Sequence, residues 1–250
     1  MSYFKNKNII ITGAASGIGK ATALKLDKQG ARLILVDCQE ERLKEVQKQL
    51  LNESICCSID LSDIERIEDT IKPIINEFGP VSGLVHCAGI SDNRPIALFK
   101  HQVLHRVMLI NFYSFFELVR VLSKKGMYDE SGMNIVGISS VAAKVGVDAQ
   151  TAYGASKGAM NGAMHSMAKE LSSKNIRVNT VLPAGVDTPM IRKYYDLKTT
   201  VDSSTERTKS RQYLGLCQPE YVASVISFLL SDESKWITGS EIPIDGGYMA

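Results

Sequence analysis

Short apolar runs and longer amphipathic stretches alternate along this chain. The apolar runs fall at residues 8–11, 31–36, 54–59, 83–86, 133–138, 176–182 and 241–244. They are continuous rather than alternating with polar residues, the pattern of strands covered on both faces. Between most of them, apolar residues recur at helical spacing over 17–29, 40–51, 64–78, 101–124, 151–173 and 219–230. Strand and helix in regular alternation predict an α/β fold, a Rossmann-like doubly wound parallel sheet of about seven strands with helices on both faces. No fixed-period repeat, low-complexity tract or linker interrupts the pattern, so residues 1–250 read as a single domain. The rhythm breaks once, over 187–215, where no long apolar period runs and charged and hydroxyl residues crowd in. A loop of that length in a compact domain is usually functional, and a substrate-binding lid is expected there.

The first strand leads into Thr12-Gly13-Ala14-Ala15-Ser16-Gly17-Ile18-Gly19 and directly on into a helix. Glycines permit a tight turn and let backbone N–H groups approach a pyrophosphate at the positive end of that helix. Placement between first strand and first helix makes this a dinucleotide site, with Gly13, Ser16, Gly17, Ile18 and Gly19 as its cradle. Asp37 closes the second strand, twenty residues after Gly17. A carboxylate there accepts hydrogen bonds from the adenosine ribose hydroxyls and repels a 2′-phosphate. With no basic residue at Ser16 or Cys38 to offset it, the expected cofactor is NAD, with NADP disfavoured. Asp60-Leu61 after the third strand and Ala88-Gly89 after the fourth lie at carboxyl ends of strands, where open α/β sheets bind ligands.

The chemistry centres on Tyr153-x-x-x-Lys157, inside a run rich in Ala, Gly and Met. Residues four apart share a helix face, and an ammonium beside a phenol favours phenolate, so Lys157 is expected to lower the Tyr153 pKa and create a general acid/base.

Composition narrows the field. The 250 residues are 44% hydrophobic and 22% charged, which suffices for a full core, and the net charge of +2 forms no basic stripe, so no nucleic-acid partner is expected. The five cysteines are scattered and contain no C-x-x-C pair, which predicts neither a disulfide framework nor a zinc site. His86, His101, His105 and His165 are read as structural, with no metal expected. The first apolar run is too short for a signal peptide or a membrane span; a cytoplasmic protein with no membrane partner is expected.

Taken in order, Thr-Gly-x-x-x-Gly-x-Gly at 12–19, Asp37, Asp60, Ala88-Gly89, Asn111, Ser140 and Tyr153-x-x-x-Lys157 resemble the short-chain dehydrogenase/reductases over essentially the whole chain. The resemblance implies a catalytic tetrad of Asn111, Ser140, Tyr153 and Lys157. Tyr153 would exchange a proton with the substrate oxygen, Ser140 would hydrogen-bond that oxygen, Lys157 would also hold the nicotinamide ribose, and Asn111 would hold a water relaying protons from Lys157. It further implies that Val186 and Thr188 flank the nicotinamide carboxamide. The family segment usually begins Pro-Gly, however, and here it reads Pro183-Ala184-Gly185, so those two assignments require Ala184 to accept the local backbone. His86-Cys87 likewise stands where the family more often has Asn-Asn.

The activity so implied is hydride transfer between nicotinamide and a secondary alcohol or ketone: a hydroxysteroid, a polyol or a small hydroxy compound. One branch reduces 3-oxoacyl groups on acyl carrier protein, but it commonly prefers NADP and places basic residues where this chain has the acidic Tyr128-Asp129-Glu130-Ser131. A non-catalytic NAD-binding sensor or scaffold is the alternative of another class. In the lid, Arg192, Lys193, Lys198, Arg207, Lys209 and Arg211 face Asp187, Asp196, Asp202 and Glu206, and Tyr194-Tyr195 offers an apolar wall. Small and apolar residues on more than one face of 101–124 (Phe112, Phe115, Phe116, Leu118) and 151–173 (Gly158, Ala159, Gly162, Ala163) suggest subunit contact, and the family analogy points to a homotetramer, or a homodimer.

Overall fold

The computed structural model describes residues 3–196 and 211–250. Seven parallel strands form one sheet in the order β3-β2-β1-β4-β5-β6-β7. They are β1 (Asn8–Thr12), β2 (Arg32–Asp37), β3 (Ser54–Ser58), β4 (Gly83–His86), β5 (Met133–Ile138), β6 (Ile176–Pro183) and β7 (Glu241–Ile244). The expected doubly wound sheet is present, a Rossmann-like single domain. Each strand sends alternate residues to opposite faces. In β1, Ile10 joins the core under α3 (Glu65–Phe78), α5 (Ser114–Leu122) and α6 (Thr151–Leu171), where Ile71, Phe115 and Met160 pack. Ile9 and Ile11 join the core under α1 (Gly17–Lys28), α2 (Glu40–Gln47) and α8 (Pro219–Leu230), where Leu26, Leu43 and Ile226 pack.

The strand order reverses between β1 and β4, which opens a crevice at the carboxyl ends of the two. Close approach there depends on glycine. Gly13 has φ +64°, and a Cβ on it would lie 2.8 Å from Ala88 N; a Cβ on Gly19 would lie 2.2 Å from the Gly13 carbonyl oxygen. The helix can therefore start hard against the strand only with glycine at both places.

Three expectations are corrected. The stretch 101–124 is not one α-helix: α4 (His101–Met108) passes through a π-helical turn, Leu109–Tyr113, into α5. The turn coincides with the side chain of Asn111, which reaches back to the Ile90 main chain and inserts a wider turn at a functional position. Phe115 and Leu118 belong to the core, leaving Phe116 as the exposed aromatic of that face. The start of the expected lid is helical, α7 (Pro189–Asp196), begun by Pro189 in the first-turn position that its fixed φ favours. Residues 197–210 of that lid, with Lys198, Asp202, Glu206, Arg207 and Lys209, lie outside the described residues, as do the side chains of Lys193, Tyr194, Tyr195 and Asp196.

Gly19→Ala is expected to cost at least about 2 kcal/mol in urea unfolding, because the intruding methyl meets rigid backbone. Unchanged stability would show that the strand and helix can separate without penalty.

Candidate active site

Two connected cavities occupy the carboxyl ends of the strands. The larger, about 330 Å³, is lined by every residue expected at the cofactor except Val186: Gly13, Ser16, Gly17, Ile18, Gly19, Asp37, Asp60, Leu61, Ala88, Gly89, Tyr153, Lys157 and Thr188. The smaller, about 160 Å³, is lined by Ser140, Tyr153, Val186 and Thr188 together with Val141, Ala142 and Val147 of the loop after β5. Tyr153 and Thr188 line both, so the phenol stands at their junction. Val186 lines the smaller recess, next to Thr188, which lines both.

The glycine loop fits a dinucleotide. Gly17, at φ +51°, lies against Thr188, whose methyl would be 3.1 Å from a Cβ there, so the loop after β6 closes over the loop after β1. Asp37 is buried at 9% exposure; its Oδ2 accepts the Ala15 N–H (3.1 Å) and its Oδ1 the Gln39 N–H (3.0 Å). Both bonds fix the carboxylate at the cleft wall without neutralising its charge. At the end of the neighbouring strand β3, the Ser62 N–H on Oδ1 (2.9 Å) holds the Asp60 carboxyl below its usual range, and Arg106 adds to the shift. Ala184, standing where the family has glycine, is not among the residues with left-handed backbone, so its side chain is accommodated without strain.

The α6 helix delivers the reacting groups. Lys157 is 3% exposed; its Nζ donates to the Ile138 carbonyl (2.6 Å) and lies 5.6 Å from the centre of the Tyr153 ring. Burial pulls its pKa from the ordinary 10.5 to about 8. Tyr153 is pushed up from its ordinary value by burial, and a hydrogen bond from Ser140 opposes the rise. The expected lowering by Lys157 is therefore not the dominant effect. Desolvation dominates, and the ammonium donates to the Ile138 carbonyl. Ser140 caps the short turn that follows β5, accepting the Ala142 N–H at 3.1 Å, which fixes its hydroxyl beside the phenol.

Asn111 is fully buried and lines neither cavity. Its Oδ1 accepts the Ile90 N–H (2.8 Å), while its Nδ2 donates to the Ile90 carbonyl (3.0 Å) and Ser156 Oγ (2.9 Å). A Cβ on Gly89 would lie 3.3 Å from Asn111 Oδ1 and 3.5 Å from Lys157 Nζ. Glycine at 89 leaves room for the two side chains to approach each other behind the cleft. The amide clamps the loop at Ile90 and ties it to α6 through Ser156.

His86 and Cys87 hold the floor. The Thr12 hydroxyl accepts the Ala88 N–H (3.0 Å) and pairs with His86 Nδ1 (3.0 Å), and His86 Nε2 faces Ser114 Oγ at 3.4 Å. Burial, aided by the charge of Lys157, pushes His86 down to about 3, so it is a neutral strut joining β1, β4 and the π turn. Burial raises the Cys87 thiol to about 12.

Several lining residues carried no signal in the sequence. Arg106 and Ile110 reach the cleft from the α4–π segment, and Ser91, Asn93, Gln150 and Tyr248 surround the recess. A wider hollow of about 750 Å³ opens at the opposite, amino ends of the strands. Of the cations that line it, Lys7 pairs with Asp129 and Arg177 with the carbonyls of Leu229, Ser231 and Ile237, and Lys235 stands at its rim.

Fold and site together define an oxidoreductase of the dinucleotide-binding class. A family model described as enoyl-(acyl carrier protein) reductase matches residues 13–249. The 3-oxoacyl-(acyl-carrier-protein) reductase of Thermotoga maritima is 35% identical over 249 residues, covering 97% of this chain and 98% of that protein. The L-xylulose reductase of Caenorhabditis elegans is 31% identical over 245 residues, covering 98% and 96%. A solved 3-oxoacyl-(acyl-carrier protein) reductase with bound NAD from Brucella melitensis superposes with a TM-score of 0.86 at 28% identity, covering 100% of this chain and 94% of that one. This chain belongs to the short-chain dehydrogenase/reductase family, oxidoreductases that use nicotinamide cofactors on CH–OH or ketone groups.

The buried Lys157 charge has a measurable cost. With a folded pKa of about 8 against 10.5, the unfolded chain binds more protons between those values. Stability therefore rises with pH through that window, and the penalty is fully present below it. Lys157→Met is expected to raise the melting temperature by a few degrees at pH 7, with the gain shrinking towards pH 10.5. A lower melting temperature at pH 7 would show that the ammonium is net stabilising.

Proposed function

We propose that this protein is an NAD-dependent oxidoreductase acting on a small, uncharged secondary alcohol or ketone. The observation that carries the reading is the convergence of Ser140, Tyr153 and Lys157 at the junction of a dinucleotide-sized cleft with a small recess. Asp37 would accept the adenosine ribose hydroxyls and exclude a 2′-phosphate, Asp60 and Leu61 would flank the adenine end, and residues 13–19 would cradle the pyrophosphate. Tyr153 and Lys157 would hold the nicotinamide ribose, with Thr188 and the Val186 main chain beside the carboxamide. When bound, the cofactor supplies the hydride donor or acceptor.

The chain's own part is proton transfer. Ser140 Oγ donates a hydrogen bond to the reacting oxygen, and Tyr153 Oη gives that oxygen a proton in reduction or takes one in oxidation. Because burial raises the phenol, reduction finds Tyr153 already protonated near neutrality, whereas oxidation needs the phenolate. Lys157, charged below about 8, steadies the negative form from close by. The clamped Asn111 keeps the 89–91 loop and Lys157 in register.

The recess supports the substrate class. At about 160 Å³ it is well below the roughly 300–1,000 Å³ of sites for drug-sized ligands, which disfavours a steroid. Its described lining carries no charged side chain, and Asn93, Gln150 and Tyr248 add neutral polar groups beside Ser140. A short polyol or hydroxy ketone suits those groups. The 35% identical Thermotoga maritima reductase favours a second reading, a carrier-linked 3-oxoacyl substrate. Against it stand Asp37 and the acidic Asp129-Glu130 ahead of β5.

Self-association, as a homotetramer or homodimer, is supported by exposed Leu104, Tyr113 and Phe116 along α4–α5 and by Gly158 and Gly162 of α6, where an added Cβ would meet nothing within 4 Å. Among the described residues, no helix is long and apolar enough to cross a membrane.

Tyr153→Phe is expected to lower kcat by about 10³-fold while NADH binding persists. In the native enzyme, alcohol oxidation should rise about tenfold per pH unit below the phenol pKa, while ketone reduction stays level there and falls only above that pKa. Steady-state rates from pH 6 to 10 in both directions check this, and turnover retained by the Phe variant would refute the role of Tyr153.

A further inference from the structure

Gln212 is 1% exposed and lies far in sequence from the catalytic groups. Its carboxamide pairs with both polar atoms of the Gly185 residue: Oε1 accepts the Gly185 N–H at 3.1 Å, and Nε2 donates to the Gly185 carbonyl at 3.0 Å. Exchanging both bonds with one backbone residue imitates a rung of a β-ladder, and fixes orientation as well as position. A buried primary amide is costly unless satisfied, and here one backbone residue takes both ends of it.

The same side chain joins three segments. Gly185 lies between Ala184 and Val186, which line the small recess, and three residues before Thr188, which lines both cavities. The segment that follows Gln212 holds the loop again, through Cys217 N–H to the Gly185 carbonyl (3.1 Å) and Asp187 N–H to the Cys217 carbonyl (2.8 Å). On the other side, Gly246 has φ +58°, and a Cβ on it would lie 2.9 Å from Gln212 Cγ. Leu214 N–H bonds the Gly246 carbonyl at 3.3 Å, and two residues past Gly246 Tyr248 turns into the recess.

We propose that Gln212 is a positioning residue that sets the 184–188 loop against the nicotinamide half of the cleft, and that it does not act on the adenosine half. The proposal rests on the NAD-dependent reading above. A residue that merely supports the fold would affect both halves alike. Gln212 should affect one, because its bonds end on the loop after β6 while Asp37, Asp60 and the glycine loop are held by other partners.

The test compares NADH with ADP-ribose, which lacks the nicotinamide, by titration calorimetry on the full chain. Gln212→Met keeps similar volume and removes both bonds; it is expected to weaken NADH about tenfold and to lower kcat, with ADP-ribose affinity unchanged within about twofold. Gln212→Glu keeps the shape but sets a carboxylate oxygen against the Gly185 carbonyl. It should show the same selective loss at pH 8 and recover NADH affinity towards pH 5.5, as the protonated acid regains a donor. Equal weakening of both ligands, or no change in either, would overturn the proposal. If the native protein binds neither ligand, the NAD reading itself falls and the proposal with it.

Discussion

The site depends on one costly placement, a lysine ammonium held in the protein interior at the carboxyl end of β5. Lys157 is 3% exposed and has the Ile138 carbonyl as its hydrogen-bond acceptor, and burial alone draws its pKa to about 8. A charge so placed acts through little screening water on whatever lies beside it. Its neighbours follow from the need to accommodate it. Gly89 leaves the space it occupies, Asn111 anchors the loop in front of it, and the π turn carries Asn111 inward. His86 stays neutral nearby, chiefly because it is buried and also because the Lys157 charge would repel a second cation. Stability is sacrificed at this point for function, as is common at active sites.

The phenol shows why the two partners have to be considered with their solvent. A cation four residues along a helix would lower a tyrosine pKa in isolation, yet Tyr153 is raised, because burial disfavours the phenolate more than the hydrogen bond from Ser140 favours it. That keeps the Tyr153 phenol protonated near neutrality, with Ser140 as the polar contact that favours the ionised form.

Much of this was legible along the chain. The strands Gly83–His86, Met133–Ile138 and Glu241–Ile244 coincide with the mostly apolar runs read from the sequence, since strands inside a covered sheet need apolar side chains on both faces. The glycine loop and Asp37 were readable because their chemistry demands particular residues at particular strand ends. The π turn was not, since a helical period continues through it and only the contact of Asn111 with Ile90 reveals the extra residue. Gln212 and Tyr248 were equally silent. Gln212 meets Gly185 across 27 positions, and nothing local marks a side chain whose partner is a distant backbone.

Deuterium transfer tests the central claim most directly. The protein, incubated with NAD and a panel of small polyols and secondary alcohols deuterated at the carbinol carbon, should place the label on C4 of the nicotinamide for at least one of them, with NADP a poor substitute. NAD bound at the cleft with no label transferred from any alcohol, and none returned to a ketone from labelled NADH, would contradict an oxidoreductase role and leave a binding protein in its place.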